Sequence, residues 1–101
     1  MKVTSFKDLE FTKQIHGGLG SSTVINGHTL SVQCGSFVCS TPRENLSSPD
    51  LFSSFEVAIW KNDESNSWVT DKFFNCQDAI SGWTSKDEIT EAIKKLKKKK
   101  S

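Results

Sequence analysis

Residues 22–34 read STVINGHTLSVQC, and the architecture of the chain follows from this segment. An Asn-Gly pair between β-branched residues is the strongest short-range signal for a β-hairpin, because both centres of a type I′ turn need a positive φ angle. After the turn, Leu30, Val32 and Cys34 alternate with polar residues, which is typical of a strand with one buried face. The segment therefore predicts two antiparallel strands that reverse at the Asn-Gly pair.

Further strands are predicted on both sides of the middle of the chain. Residues 36–39 are expected to continue the first ribbon past a bulge at Gly35. Residues 55–60 (FEVAIW) alternate between apolar and mixed positions and predict another strand. Residues 67–70 (SWVT) have the composition of its hairpin partner.

Three connecting segments complete the pattern. Residues 40–54 are expected to form a long loop, because Pro42 and Pro49 forbid regular pairing there. Residues 3–13 can either pair as an edge strand or lie over the core as a turn. Residues 71–79 can either end a strand or form a short helical turn, and the sequence leaves both choices open.

Residues 85–96 (SKDEITEAIKKL) predict an amphipathic helix. Ser85 and Glu88 are spaced as a capping box, in which each side chain bonds the backbone N–H of the other residue. Acidic residues follow the start and lysines crowd the end, which complements the helix dipole. A helix this short needs a packing partner, so we expect its apolar stripe to dock on the sheet. The stripe consists of Ile89, Ala92, Ile93 and Leu96.

Together these elements predict an α+β fold, in which a small antiparallel β-sheet of about four to five strands packs against one C-terminal amphipathic helix. The 101 residues match the usual size of one domain. We place that domain at residues 1–96 and a basic tail at residues 97–101.

The sequence also predicts a setting for the protein. No stretch approaches the roughly 20 apolar residues of a membrane-spanning helix, and the first residues are charged rather than apolar like a signal peptide. We therefore expect no membrane association and a reducing, cytoplasmic compartment. In that compartment Cys34, Cys39 and Cys76 are expected to be free thiols.

The charges are unevenly distributed. Residues 94–101 hold six of the thirteen basic residues, and the rest of the chain holds seven basic and all twelve acidic residues, a net charge of −5. The lysines can contact nucleic-acid phosphates or complement the helix dipole. We favour the second interpretation, because no basic residues elsewhere interleave with aromatic ones.

A glycine-rich segment is the first candidate ligand site. It contains His16, Gly17, Gly18 and Gly20, and its backbone amides could cradle an anion. A phosphate loop would also need a lysine after the glycines and a helix that starts there. Neither is present, so we favour a flexible connection over residues 16–22.

Metal binding and catalysis find little support in the residue pattern. The three cysteines could form a zinc site with His16 or His28, but their spacing is not that of known structural sites. Small apolar packing is the more favoured role for the thiols. No Gly-x-Ser-x-Gly elbow or ordered triad is visible. We therefore expect neither a metal, nor a cofactor, nor enzyme activity.

The tryptophans are the second candidate site. Trp60 falls on the strand face opposite Phe55, Val57 and Ile59. Trp68 is expected across from it in the same hairpin. An exposed aromatic pair of this kind is typical of a partner-binding or self-association surface. The alternative, which we weigh equally, is that Trp60, Trp68 and Trp83 cover a second, smaller core under residues 40–54.

Four short motifs resemble a group of small tailed-bacteriophage proteins. They are DLEF at residues 8–11, NGHTLSV at 26–32, FEVAIW at 55–60 and DAISGWTSKDEI at 78–89. The chain departs from the group in its longer, proline-bearing loop and its lysine tail. The resemblance implies a phage origin and the cytoplasm of a host bacterium. It also implies an accessory role, either in binding host proteins or in sequestering small molecules.

Three functions are therefore considered. The first is a non-enzymatic phage accessory protein that binds and inhibits a host factor, plausibly a defence component, and that can form homo-oligomers through the tryptophan face. The second is an oligomeric sponge for a nucleotide signal, whose phosphates would meet the segment from His16 to Gly20, Arg43 or the lysines. The third is nucleic-acid binding through the lysine tail.

Overall fold

The computed structural model describes residues 3–14, 17–36, 38–65, 67–74 and 80–98. Within these residues five strands form one antiparallel sheet in the order β1-β2-β3-β4-β5, and one α-helix follows. The predicted α+β fold is confirmed. The strands are β1 (Thr12–Lys13), β2 (Leu19–Ile25), β3 (His28–Cys34), β4 (Ser54–Lys61) and β5 (Ser81–Ser85), and the helix is α1 (Lys86–Lys98).

The Asn-Gly hairpin forms as predicted. Asn26 and Gly27 both have positive φ angles, 49° and 73°, and Ile25 pairs with His28 directly across the turn. Asparagine and glycine are the residues that adopt this left-handed conformation most readily. The two residues therefore set the register of β2 against β3.

Helix α1 covers one face of the sheet, which we call the inner face. Ser85 accepts the Glu88 N–H at 3.2 Å, and the Glu88 carboxylate accepts the Ser85 N–H at 3.1 Å, so the capping box is confirmed. All four residues of the apolar stripe are at most 1% exposed. They share one core with fully buried residues of the inner face: Leu30, Val32, Phe55, Val57 and Ile59.

The hairpin turn also holds the end of the helix. The Asn26 side-chain amide donates to the carbonyl oxygens of Leu96 at 2.8 Å and Lys97 at 3.0 Å. The last carbonyls of a helix have no partner within the helix itself. A residue chosen for its turn conformation therefore also caps α1, across 70 residues of sequence.

The segment before β2 adopts both conformations that the sequence left open. A 3-10 turn at Phe6–Asp8 lies over the core, where the Phe6 ring is 4.7 Å from the Phe55 ring. The Phe6 N–H donates to the Thr90 hydroxyl at 3.0 Å, which ties the turn to α1. Beyond it, Thr12–Lys13 pairs with the start of β2 as a short edge strand.

Two sequence predictions are wrong in this part of the chain. Residues 19–22 are not a flexible connection but the first half of β2, paired on both sides at Leu19 and Gly20. The first ribbon does not continue through residues 36–39, because β3 ends at Cys34. Gly35 follows at φ 147°, and the described residues after it form a turn.

The partner predicted for β4 is also shorter than expected. Trp60 and Trp68 form a single bridge, and a 3-10 turn at Thr70–Lys72 follows. The buried Thr70 hydroxyl accepts the Ile59 N–H at 2.9 Å. This side chain takes the place that the backbone of a neighbouring strand would occupy. The strand beside β4 is instead β5, which the sequence analysis did not identify.

The structure differs less from the sequence predictions at the long loop and at the end of the helix. Residues 40–54 form a loop, as predicted, with a 3-10 turn at Pro49–Leu51. Phe52 anchors the loop in the main core at 2% exposure. The helix reaches Lys98, two residues past the predicted domain end at position 96. No helix of the described residues is long and apolar enough to span a membrane.

Replacing Leu96 with alanine should lower the free energy of unfolding by about 2–5 kcal/mol, because it leaves a cavity between α1 and the inner face. Urea denaturation followed by circular dichroism measures the change. The matched control is Lys95→Ala, an exposed position on the same turn, which should change stability by less than about 0.5 kcal/mol. Equal losses in the two variants would contradict the packing described above.

Replacing Asn26 with glycine should keep the turn but remove both bonds to the helix end. We expect a loss of about 1 kcal/mol, concentrated in the last turn of α1. Hydrogen exchange should show faster exchange in that turn while the amides of β2 and β3 keep their protection. Uniform destabilisation of the hairpin would instead mean that Asn26 acts only through its turn conformation.

Candidate protein-interaction site

The outer face of the sheet, opposite α1, is built by the strand register. Residues directly across from each other on paired strands share a face. Val24 pairs with Thr29, Thr29 with Trp60, and Trp60 with Trp68. These four side chains form one row across the outer face, because the inner-face residues occupy the alternate positions of the same strands.

The two tryptophans of this row pack against each other. Their ring centroids are 5.1 Å apart and the ring planes are tilted by 50°. Trp68 is nevertheless 52% exposed, and Val24 at the other end of the row is 66% exposed. Trp60 is partly buried. Among the described residues, no element covers Trp68 as a core residue would be covered.

A groove lies next to the tryptophan pair and is referred to below as the outer groove. Its volume is about 190 Å³. The residues that line it are Ser31, Gln33, Glu56, Val57, Ala58, Trp60, Trp68 and Ile80. Most of this lining comes from alternate residues of β3 and β4, so the sheet itself forms the floor.

One end of the outer face is covered by the turn after β3. The Cys39 N–H donates to Oε1 of Glu56 at 3.3 Å, and the Cys39 carbonyl accepts the Trp83 N–H at 2.9 Å. A Cβ atom at Gly82 would lie 2.8 Å from the Cys39 Cβ, so glycine permits this close approach. The turn leaves the tryptophan end of the face open.

The structure thus places Trp60 and Trp68 together, as the alternation in the sequence predicts. The alternative of a second core under residues 40–54 does not describe them, because Phe52 of that loop packs in the main core. Trp83 is 58% exposed and lies at the register shift between β4 and β5, with a φ of 48°. It does not line the outer groove.

Sequence reasoning missed Glu56 and Ile80 as members of the site. A signal for Glu56 was present, since positions 56, 58 and 60 alternate onto one strand face. No local pattern marks Ile80, which is 44% exposed and reaches the groove from the residue before β5. Its place depends on the pairing of β5 with β4.

The glycines of the first candidate site serve close packing. A Cβ atom at Gly18 would lie 2.7 Å from the Cys34 carbonyl oxygen, and one at Gly20 would lie 2.7 Å from the Gln14 side chain. Gly17 has a φ of 94° and lies against Asn45. These contacts account for the glycines without a ligand.

The other predicted contacts of that site are not brought together. Arg43 is exposed, and His16 lies outside the described residues. The cavity beside Gly17 has a volume of about 560 Å³, and its described lining includes one cationic side chain, that of Lys13. It is lined by Lys13, Gly17, Leu19, Asn45, Leu46 and Ser47.

Thiols and lysines complete the set of sequence candidates. Cys34 and Cys39 are free, Cys76 lies outside the described residues, and the described part of the chain holds no cluster of three His, Cys, Asp or Glu residues that could bind a metal ion. The described lysines of the last helical turns are exposed, and Lys94 lies 3.7 Å from Glu91. The positive charges of these lysines complement the negative end of the helix dipole.

Cys34 should resist alkylation in the folded protein. Burial raises the pKa of this thiol to about 11, so at pH 8 only roughly one molecule in a thousand carries the reactive thiolate. Iodoacetamide labelling followed by peptide mass mapping should modify the half-buried Cys39 first, and labelling in urea should modify both. The same burial favours the folded state below about pH 9, and this advantage is lost as the pH rises toward 11. Equal labelling of both thiols at pH 8 would contradict the buried position of Cys34.

Comparison with known proteins gives no match to a family model, to a curated protein or to a solved structure. The function is therefore argued from the geometry of this chain.

Proposed function

We propose that this chain is a non-enzymatic protein-binding domain, a bacteriophage accessory protein that binds and inhibits a host factor through the outer groove and the exposed row beside it. The observation that carries the proposal is the Trp60–Trp68 pair, with Trp68 52% exposed, on a sheet face that α1 does not cover.

The composition of this face supports binding to a protein. Tryptophan is enriched at the centres of protein interfaces, because it buries a large apolar area while ordering few torsions. Val24, Trp68 and Ile80 are each more than 40% exposed on or beside the same face. Trp60, Trp68 and Ile80 line the same groove, and clustered exposed apolar side chains mark interaction sites more often than scattered ones do.

The phage origin and the inhibitory role come from the resemblance of the four short motifs. The resemblance implies an accessory protein that either binds host proteins or sequesters small molecules. An aromatic surface on a sheet is suited to the first of these roles. The proposed target is a defence component of the host bacterium.

Self-association through the same face is a related outcome. Two copies that join their outer faces would bury both tryptophan pairs in an isologous contact. Light scattering of the purified protein distinguishes this arrangement from a monomer that awaits a partner.

Sequestration of a nucleotide is the second candidate function, and the 560 Å³ cavity beside Gly17 favours it. Its volume lies within the roughly 300–1,000 Å³ of small-molecule sites. Among the described residues, Lys13 is the one cation that lines it, so nucleotide sequestration ranks below protein binding. Calorimetry against a panel of cyclic and modified nucleotides tests it, and a silent panel removes it.

Nucleic-acid binding through the lysines ranks third. It requires an affinity that falls steeply with salt, since each phosphate contact releases counterions. Binding that survives both added salt and deletion of the lysines would exclude it.

Replacing Trp68 with alanine should abolish recovery of a near-stoichiometric partner from bacterial lysate, because the Trp60–Trp68 pair loses its more exposed ring. Quantitative mass spectrometry of the captured proteins measures the change. The matched control is Leu51→Ala, since Leu51 is similarly exposed at 55% but does not line the outer groove. A partner retained by both variants, or no partner at near-stoichiometric yield with the unaltered protein, would contradict the proposal.

A further inference from the structure

The outer groove is lined by two tryptophans and by a carboxylate, that of Glu56. Glu56 lines the groove, and within the described ranges of the chain no lysine, arginine or histidine forms an ion pair with it. Its Oε1 accepts the Cys39 N–H at 3.3 Å. This bond fixes the side chain while leaving the carboxylate charge without a counterion.

The size of the groove indicates what it can hold. A volume of about 190 Å³ is below the roughly 300–1,000 Å³ of sites that enclose a whole small molecule. It suits a single long side chain inserted from a larger partner. The sheet supplies a firm floor, because its central strands β3 and β4 are paired along most of their length.

The tryptophan rings favour a cationic side chain in particular. Trp60 and Trp68 line the groove, and ammonium and guanidinium groups are attracted to indole faces. The aliphatic stems of lysine and arginine pack well on such rings while the charged head reaches a polar group. Among the described residues that line the groove, Glu56 is the charged one, beside the neutral polar Ser31 and Gln33.

The charges near the groove reinforce this preference. Asp63 and Glu64 are exposed in the loop that the Trp60–Trp68 bridge closes. Lys61 belongs to the same loop, but it pairs in register with His28 and so shares the face opposite to the Trp60 row. The loop from Lys61 to Ser67 thus holds two acidic residues and one basic residue. This small negative excess adds to the Glu56 carboxylate and favours the approach of a basic segment.

We propose, building on the proposed function, that the outer groove receives an arginine or lysine side chain from an extended segment of the partner protein. The cationic head meets the Glu56 carboxylate, and the aliphatic stem lies against Trp60 and Trp68. Charge complementarity between this groove and a basic side chain is what selects the occupant.

The test begins with a library of random 12-residue peptides displayed and selected on the full chain. The selected peptides should share one basic position. Replacing that arginine by citrulline, or that lysine by norleucine, should weaken binding about tenfold or more, and Glu56→Gln should weaken it to a similar degree. Glutamine keeps the oxygen that accepts the Cys39 N–H, so the variant should remain folded, which its urea midpoint checks.

A charge-reversal cycle separates a direct contact from an indirect effect. The Glu56→Lys variant should no longer bind the basic peptides. It should bind a peptide whose basic residue is changed to glutamate more tightly than the unaltered protein does. Double-mutant coupling of this kind arises only between groups that interact. Affinity for the basic peptide should also fall as salt is raised.

Three outcomes would overturn the inference, and they differ in what they say of the proposed function. The first outcome is that the selected peptides bind the Glu56→Gln variant with unchanged affinity but no longer bind the Trp68→Ala variant. This would exclude a basic side chain in the groove and leave the protein-binding function standing. A dimer in light scattering that Trp68→Ala dissociates would place a second copy in the groove. A library without binders would overturn the inference by itself, and both proposals would fall if Trp68→Ala also captured the lysate partner unchanged.

Discussion

The burial of one helical stripe against one side of a five-stranded sheet organises the whole chain. Helix α1 has thirteen residues and is about 20 Å long, enough to cover a single sheet face. Its four stripe residues and the inner-face residues are almost fully buried. In the described part of the chain no second helix packs on the other side. The architecture therefore leaves a face of regular β-structure to be covered by loops or by another molecule.

The loops cover only part of that face. The turn after β3 lies over one end, where Cys39 bonds Glu56 and Trp83. Val38 in this turn is 7% exposed but does not belong to the main core. Among the residues that the structure describes, none covers the tryptophan end in this way. At this end two indole rings and the Glu56 carboxylate line the outer groove. In the described part of the chain the carboxylate has no counterion.

Long-range bonds hold the two layers in register. Asn26 connects the β2–β3 turn to the carbonyl end of α1, and the Phe6 N–H connects the N-terminal turn to Thr90 near the start of the helix. Both ends of the helix are thus tied to segments far away in the sequence. A helix fixed in this way keeps the sheet from sliding, so the positions on the outer face stay in place relative to one another.

Local patterns in the sequence were enough to identify the Asn-Gly turn, the strand at residues 55–60, the capping box and the helical stripe. Each of these features depends on φ preference or on a period of two or 3.6 residues, which neighbouring residues set by themselves. The same alternation put Trp60 on the face opposite the core. Strand β5, the role of Asn26 at the helix end and the contribution of Ile80 to the groove depended on tertiary structure. They arise from contacts between residues far apart in the chain, and short-range periodicity carries no information about which distant segment will become the neighbour.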